Sequence, residues 1–262
     1  MRALLWILLT PTFLAAQAPG DWPAYGRDPG GTRFSPLTGI TAENVSQLEV
    51  AWTYNTGDAQ VRVQRGRPPA LEATPLVIDG TMYLSTPTGR VIGLDAATGQ
   101  QRWRYDPGVN PNRGYGDFAA RGVSYWRDAA ASAGTSCARR IFFATIDARL
   151  LSLDAATGRP CIEFGDSGVI DLRRGIRILP AEFPFYEVTS PPAIVGDLVI
   201  TGSAIADNSC RIRRAARCVH STRAQASCAG HSIRSHATLV TRPSQRGKTA
   251  AHCGRAAPTS GP

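Results

Sequence analysis

The sequence predicts an all-β chain: about two to three four-stranded blades of a β-propeller, followed by a basic, disordered tail. Three observations carry this expectation. First, the hexapeptide Leu-Asp-Ala-Ala-Thr-Gly occurs twice, at Leu94–Gly99 and Leu153–Gly158, 59 residues apart. Second, the same order of short apolar runs surrounds both copies. In the first these are Thr81–Thr86, Arg90–Leu94 and Gln100–Tyr105; in the second, Arg140–Ile146, Arg149–Leu153 and Arg159–Phe164. Third, the composition breaks after Asn208, where acidic and aromatic residues stop. Short strands recurring around one fixed turn mark a radially repeated β-architecture.

Taken in order, the chain opens with a leader over residues 1–18. Arg2 supplies a positive start, Ala3–Ala16 an apolar stretch, and Ala16-Gln17-Ala18 a small-x-small cleavage site. Export to the periplasm or cell exterior follows. Residues 19–208 form the propeller portion. Asp28-Pro29-Gly30-Gly31 and Ser35-Pro36 are turn signals. Thr38–Gln47 reads as a short helix with Thr41 at its N-cap, and Leu48–Tyr54 as a strand ending at the turn Asn55–Asp58. Val61–Pro69 is a polar loop. Ala73–Ile78 and Thr81–Thr86 form a hairpin over Asp79-Gly80, a dipeptide suited to a tight turn. Pro107–Ala120 is an irregular insertion, Gly122–Trp126 resumes strand alternation, and Gly165–Glu187 is a second long excursion. Ala193–Val195 and Leu198–Thr201 then make a hairpin over Gly196-Asp197. Loops of this length in a compact fold are usually functional or disordered, and in a propeller they would line the mouth of the central channel.

Residues 209–262 hold nine Arg, one Lys, all four His and four of the six Cys (Cys210, Cys218, Cys228, Cys253), with no Asp, Glu, Phe, Tyr or Trp. The formal charge of +9 is therefore local to the tail, the rest of the chain carrying 19 basic and 20 acidic groups. A nucleic-acid arm would be expected to carry more Lys and interleaved aromatics, so no nucleic-acid partner is assigned. The spacing of Cys218, His220, Cys228 and His231 does not match the usual zinc pairs. A third reading is a change of reading frame. Back-translated with permitted codons and read two bases later, Cys218–His236 yields R-A-F-D-A-R-T-G-E-L-R-W-A-F-D-P-I-P. The in-frame text of Val91–Pro107 is V-I-G-L-D-A-A-T-G-Q-Q-R-W-R-Y-D-P. A whole strand–turn–strand unit thus arrives where the third repeat is due, and the tail is read as frameshifted. Cys137 and Cys161, at strand edges of one blade in an oxidising compartment, are expected to pair.

The opening Asp21-Trp22-Pro23-Ala24-Tyr25-Gly26-Arg27 with Arg33–Leu37 resembles the mature start of quinoprotein dehydrogenases. The likeness continues through Ala51–Asp58, Glu72–Leu76, Arg121-Gly122-Val123-Ser124-Tyr125-Trp126, Thr189–Pro192 and Gly202-Ser203, over about residues 20–208. Cys137–Arg140 and the run around Cys161 are most similar to the membrane-bound glucose/quinate/shikimate branch. The resemblance implies an eight-bladed propeller holding pyrroloquinoline quinone (PQQ) and a divalent cation, calcium or magnesium, in its channel. It implies cofactor contacts from Glu72, Arg121, Thr189 and Ser203, and a cation-binding carboxylate at Asp207. Guanidinium suits the cofactor role because its planar fork of donors matches carboxylate and quinone oxygens.

The reaction implied is oxidation of a sugar or polyol, with electrons passed to a quinone or other acceptor. A cation would act as Lewis acid and an Asp as base. The resemblance places that base in later blades, so no residue here is assigned as catalytic, and the chain as it stands is expected to be inactive. Membrane association is left open. The alternative is a non-enzymatic periplasmic scaffold of the same repeat class. A lipid-anchoring Cys after the leader would favour it and none is present, whereas Glu72 with Arg121–Tyr125 favours the dehydrogenase.

Overall fold

In a computed structural model, residues 18, 20–28, 30–63, 68–115, 118–174, 186–205 and 238–241 are described. Two four-stranded antiparallel sheets form the centre. The first runs β2 (Leu76–Ile78), β3 (Thr81–Ser85), β4 (Val91–Asp95), β5 (Gln101–Tyr105); β1 is the short Ala70–Leu71. The second runs β7 (Ser124–Arg127), β8 (Arg139–Ala144), β9 (Arg149–Asp154), β10 (Val169–Asp171); β6 is Ala119–Ala120. A third sheet contains β12 (Ala193–Val195) and β13 (Leu198–Thr201), with β11 (Tyr186–Glu187) and β14 (Ala204–Ile205) paired beside it. β15 (Thr238–Thr241), a tail segment for which no strand was expected, pairs antiparallel with β13. The leader lies outside the described residues, as does the rest of the tail.

The first two sheets are apolar on both faces, because the blades stack face to face. Along β8, Ile141 and Phe143 pack against Leu76, Tyr83 and Val91 of the first blade. Their neighbours Phe142 and Ala144 point the other way, onto Tyr186, Val188 and Val199. The period-two alternation of a strand thus serves two interfaces at once. The hairpin over Asp79-Gly80 closes as expected, with both residues at positive φ (49° and 69°), the conformation of a two-residue hairpin turn.

The two hexapeptide turns are built alike. Asp95 Oδ1 accepts from the amides of Ala97 and Thr98 and from Thr98 Oγ1 at 2.9–3.1 Å. Asp154 Oδ1 does the same for Ala156 and Thr157 over the same range. A tryptophan from the preceding segment docks on each turn. Trp52 Nε1 donates to Ala96 O (3.2 Å), and Trp103 Nε1 donates to Ala155 O (3.0 Å). Both indoles lie flat over the turn glycine, Gly99 or Gly158, which stands at a φ of 72° or 70°.

Three expected elements differ. The helix over Thr38–Gln47 is only a single 3-10 turn, Val45–Gln47. Asn44 accepts from the Thr41 amide and donates to Gly39 O, bonds that compete with a helical backbone, and Ile40, Val45 and Leu48 stay half or more exposed. Leu48–Tyr54 joins no ladder among the described residues. Arg159–Phe164 does not close the second blade. Pro160 has no amide to donate, the chain turns after Cys161, and Val169–Asp171 takes the outer place against Arg149–Leu151.

Candidate functional site

The residues assigned by resemblance sit at repeated positions. β1 and β6 pair in parallel, Leu71 against Ala120, so that Glu72 and Arg121 are the next residue out of each strand and emerge side by side. Arg121 is then bonded through its backbone on both flanks: its carbonyl accepts from the Thr74 amide (3.1 Å) and its amide donates to Thr189 O (2.9 Å). Thr189 follows β11, and the antiparallel pairing of β11 with β14 puts Ser203, just before β14, at the same end. The short strands that precede three successive blades therefore deliver Glu72, Arg121 and Thr189 to one place.

The side chains meet there. Arg121 Nη2 lies 3.1 Å from Glu72 Oε2, and Nη1 donates to Thr189 Oγ1 at 2.7 Å. The Arg121 and Glu72 side chains are 38% and 40% exposed, so the pair is open to a ligand rather than sealed in the core. Ser203 Oγ is buried with no hydrogen-bond partner among the described residues. A buried hydroxyl without a partner is costly unless something else satisfies it. Ser124 lies deeper, its Oγ donating to Pro192 O and tying the second blade to the third. The set presents a cationic fork, a carboxylate acceptor and hydroxyls, which suits a planar ligand carrying carboxylates and carbonyl oxygens. On those grounds the residues present fit PQQ along one side.

Asp207 lies outside the described residues. Among the described residues no group of three or more His, Cys, Asp or Glu is placed to hold a metal ion, and no helix is long and apolar enough to cross a membrane. Cys137 and Cys161 form the expected disulfide. The indole seats of Trp52 and Trp103 carry no known motif, but the shared texts Trp52-Thr53-Tyr54 and Trp103-Arg104-Tyr105 are a repeat signal that points to them.

Successive antiparallel sheets packed face to face, with polar residues offered side by side from adjoining strand ends, define the class: a β-propeller built of repeats. Comparison with known proteins makes this specific. The PQQ family described as the glucose/ethanol/alcohol dehydrogenase β-propeller domain matches residues 22–220, and the chain belongs to that family. It is 38% identical over 198 residues to the quinoprotein glucose dehydrogenase of Escherichia coli (strain K12), covering 73% of this chain and 24% of that protein. With the quinoprotein glucose dehydrogenase of Gluconobacter oxydans (strain 621H) it shares 40% over 214 residues, 76% of this chain and 26% of the relative. Its fold is similar to the quinohemoprotein alcohol dehydrogenase from Comamonas testosteroni, at a TM-score of 0.55 and 32% identity, covering 72% of this chain and 24% of that one. The chain thus spans about a quarter of the length of the relatives it matches.

Proposed function

We propose that this chain is the N-terminal portion of an exported PQQ-dependent dehydrogenase that oxidises a sugar or polyol of the glucose/quinate type. Electrons pass to a quinone acceptor, at or near the membrane of the periplasm. The observation that carries the reading is the convergence of Glu72, Arg121 and Thr189 from equivalent places in three successive repeats, beside the unpartnered hydroxyl of Ser203. PQQ, when bound, would supply the two-electron acceptor for substrate oxidation. Arg121 would hold its carboxylate or quinone oxygens, Glu72 would accept from it and fix the Arg121 fork, and the hydroxyls of Thr189 and Ser203 would complete the hydrogen bonds on this side. Asp207 would serve a divalent cation, calcium or magnesium. The tail from residue 209 is a shifted reading of the third repeat, so its Cys and His form no site.

The test has two arms. PQQ is titrated against the chain by quenching of tryptophan emission, with Arg121→Ala beside it. A charge-assisted hydrogen bond is worth about 1.5–3 kcal/mol, so the substitution should weaken binding ~10–100-fold. Resequencing the genomic DNA around codon 209 gives the second arm, with an added or missing base expected. Binding that Arg121→Ala leaves unchanged defeats the site assignment, and an unaltered frame defeats the reading of the tail.

A further inference from the structure

The two hexapeptide turns are held by different chemistry at the same two points. In the first blade the clamp is a side chain. Arg102 Nη2 donates to Asp95 Oδ2 at 2.7 Å and Nη1 donates to Thr81 Oγ1 at 2.6 Å. Register gives the counterparts in the second blade: Thr81 pairs with Asp95 as Arg140 pairs with Asp154. Leu94 pairs with Gln101 as Leu153 bridges to Pro160, so Cys161 stands where Arg102 stands. No guanidinium reaches Asp154 from there. Instead Cys161 is bonded to Cys137, whose peptide groups occupy the two contacts of the missing fork. The Cys137 amide donates to Asp154 Oδ2 at 2.6 Å, and its carbonyl accepts from Arg140 Nε at 2.8 Å. Cys137 holds a φ of 60°, a left-handed conformation that is uncommon and unfavourable for a non-glycine residue.

We infer that the Cys137–Cys161 disulfide is a redox-dependent clamp that replaces the Arg102 ion pair and positions the turn on which Trp103 docks. Reduction by a dithiol breaks the S–S bond, adds two electrons and two protons to give two thiols, and leaves the dithiol as a cyclic disulfide. Cys137 is then released from its left-handed conformation, its amide leaves Asp154, and the 154–158 turn loosens under the Trp103 indole. The first blade has no such dependence, because Arg102 is indifferent to reductant. One seat, Trp103 on Ala155, is therefore redox-sensitive, and the other, Trp52 on Ala96, is not.

The experiment uses the whole chain labelled with 5-fluorotryptophan. The 19F resonances of Trp52 and Trp103 are assigned through Trp52→Phe and Trp103→Phe. Dithiothreitol should shift and broaden the Trp103 signal and leave the Trp52 signal in place. Arg102→Ala should do the reverse without reductant. Cys161→Arg combined with Cys137→Gly should keep Trp103 at its oxidised position whether or not reductant is present. The inference is overturned if the two resonances respond alike to reductant, or if Trp103 ignores it. It is equally overturned if the Cys161→Arg, Cys137→Gly double variant folds, as judged by an unmoved Trp52 signal, yet leaves Trp103 displaced. Should that variant not fold, Arg102→Ala still decides: a Trp52 signal that stays put denies that this contact clamps a turn at all.

Discussion

A single methyl group measures how tightly the indole sits on its turn. Gly158 stands at a φ of 70°, and a Cβ placed there would lie 2.4 Å from Trp103 Cε3 and 2.6 Å from Cδ2. Gly80, in the β2–β3 hairpin, has nearly the same φ of 69°, but nothing lies within 4 Å of its Cβ position. Alanine at either site meets the left-handed penalty of about 1–2 kcal/mol. Only at 158 must the indole also move. Overpacking costs roughly 1–3 kcal/mol, and a displaced Trp103 leaves the buried Ala155 carbonyl without its 3.0 Å donor, at about 1–3 kcal/mol more. Gly80→Ala should thus cost ~1–2 kcal/mol and Gly158→Ala about 3–6 kcal/mol, the terms overlapping because one movement causes both. Urea unfolding followed by far-ultraviolet circular dichroism measures each. Combining Gly158→Ala with Trp103→Ala removes the clash, so the pair should destabilise by less than the sum of the singles. Equal costs for Gly80→Ala and Gly158→Ala, or strict additivity in the cycle, would refute the claim that the indole presses on this turn.

Three further outcomes are expected. Hydrogen bonds from Arg102 and from Thr98 hold the Asp95 carboxyl at about 2, below its ordinary value of 3.8. A depressed carboxyl stabilises the fold above its unfolded pKa and loses that contribution as pH falls through the folded one, so the Trp52 emission should respond to acid between about pH 4 and 2. Asp95→Asn should abolish that transition, and its persistence would assign it elsewhere. Phe142→Ala empties a fully buried position whose ring packs edge-on to Phe164 at 5.3 Å, and should cost about 3–5 kcal/mol in the same urea assay. By contrast Ile162→Ser, at a side chain that is 75% exposed, should change stability by less than about 0.5 kcal/mol.

What the sequence shows and what it conceals divide along physical lines. Turns announce themselves, because Asp-Ala-Ala-Thr-Gly encodes its own hydrogen bonds: an Asp to take three donors, a Thr to give two of them through its amide and hydroxyl, a Gly to accept positive φ. The Asp79-Gly80 hairpin is legible for the same local reason, and Cys137 and Cys161 pair as expected. Strand ends are less legible, since pairing depends on partners distant in the chain. Arg159–Phe164 copies the place of β5 in the repeat, yet one proline removes a donor and hands the outer position to Val169–Asp171. Thr38–Gln47 has helical spacing, but its Ile40 and Val45 lie exposed among the described residues, and burial rather than propensity would have had to sustain it.

The candidate site was visible only through resemblance, and its geometry explains why. Glu72, Arg121 and Thr189 have no common spacing or motif; what they share is a position, one or two residues beyond the short strand (β1, β6 or β11) that precedes each blade. A single blade offers that place only one side chain. Binding at such a site requires the blades to be fixed relative to one another, and the parallel pairing of β1 with β6 is only two residues long. The fixing comes from further out, from the apolar faces between sheets and from Trp52 and Trp103 seated on the turns. A loosened turn at the rim would consequently be felt at Arg121, where Glu72 and Thr189 must arrive from different blades within about 3 Å of one guanidinium. Trp103→Ala should then weaken PQQ binding although the indole is no part of the Glu72–Arg121–Thr189 cluster. Trp103→Phe, which keeps the packing and drops the hydrogen bond, should fall between that variant and the unaltered chain. If titration gives the same affinity for all three, the seats stabilise the blades without aligning them.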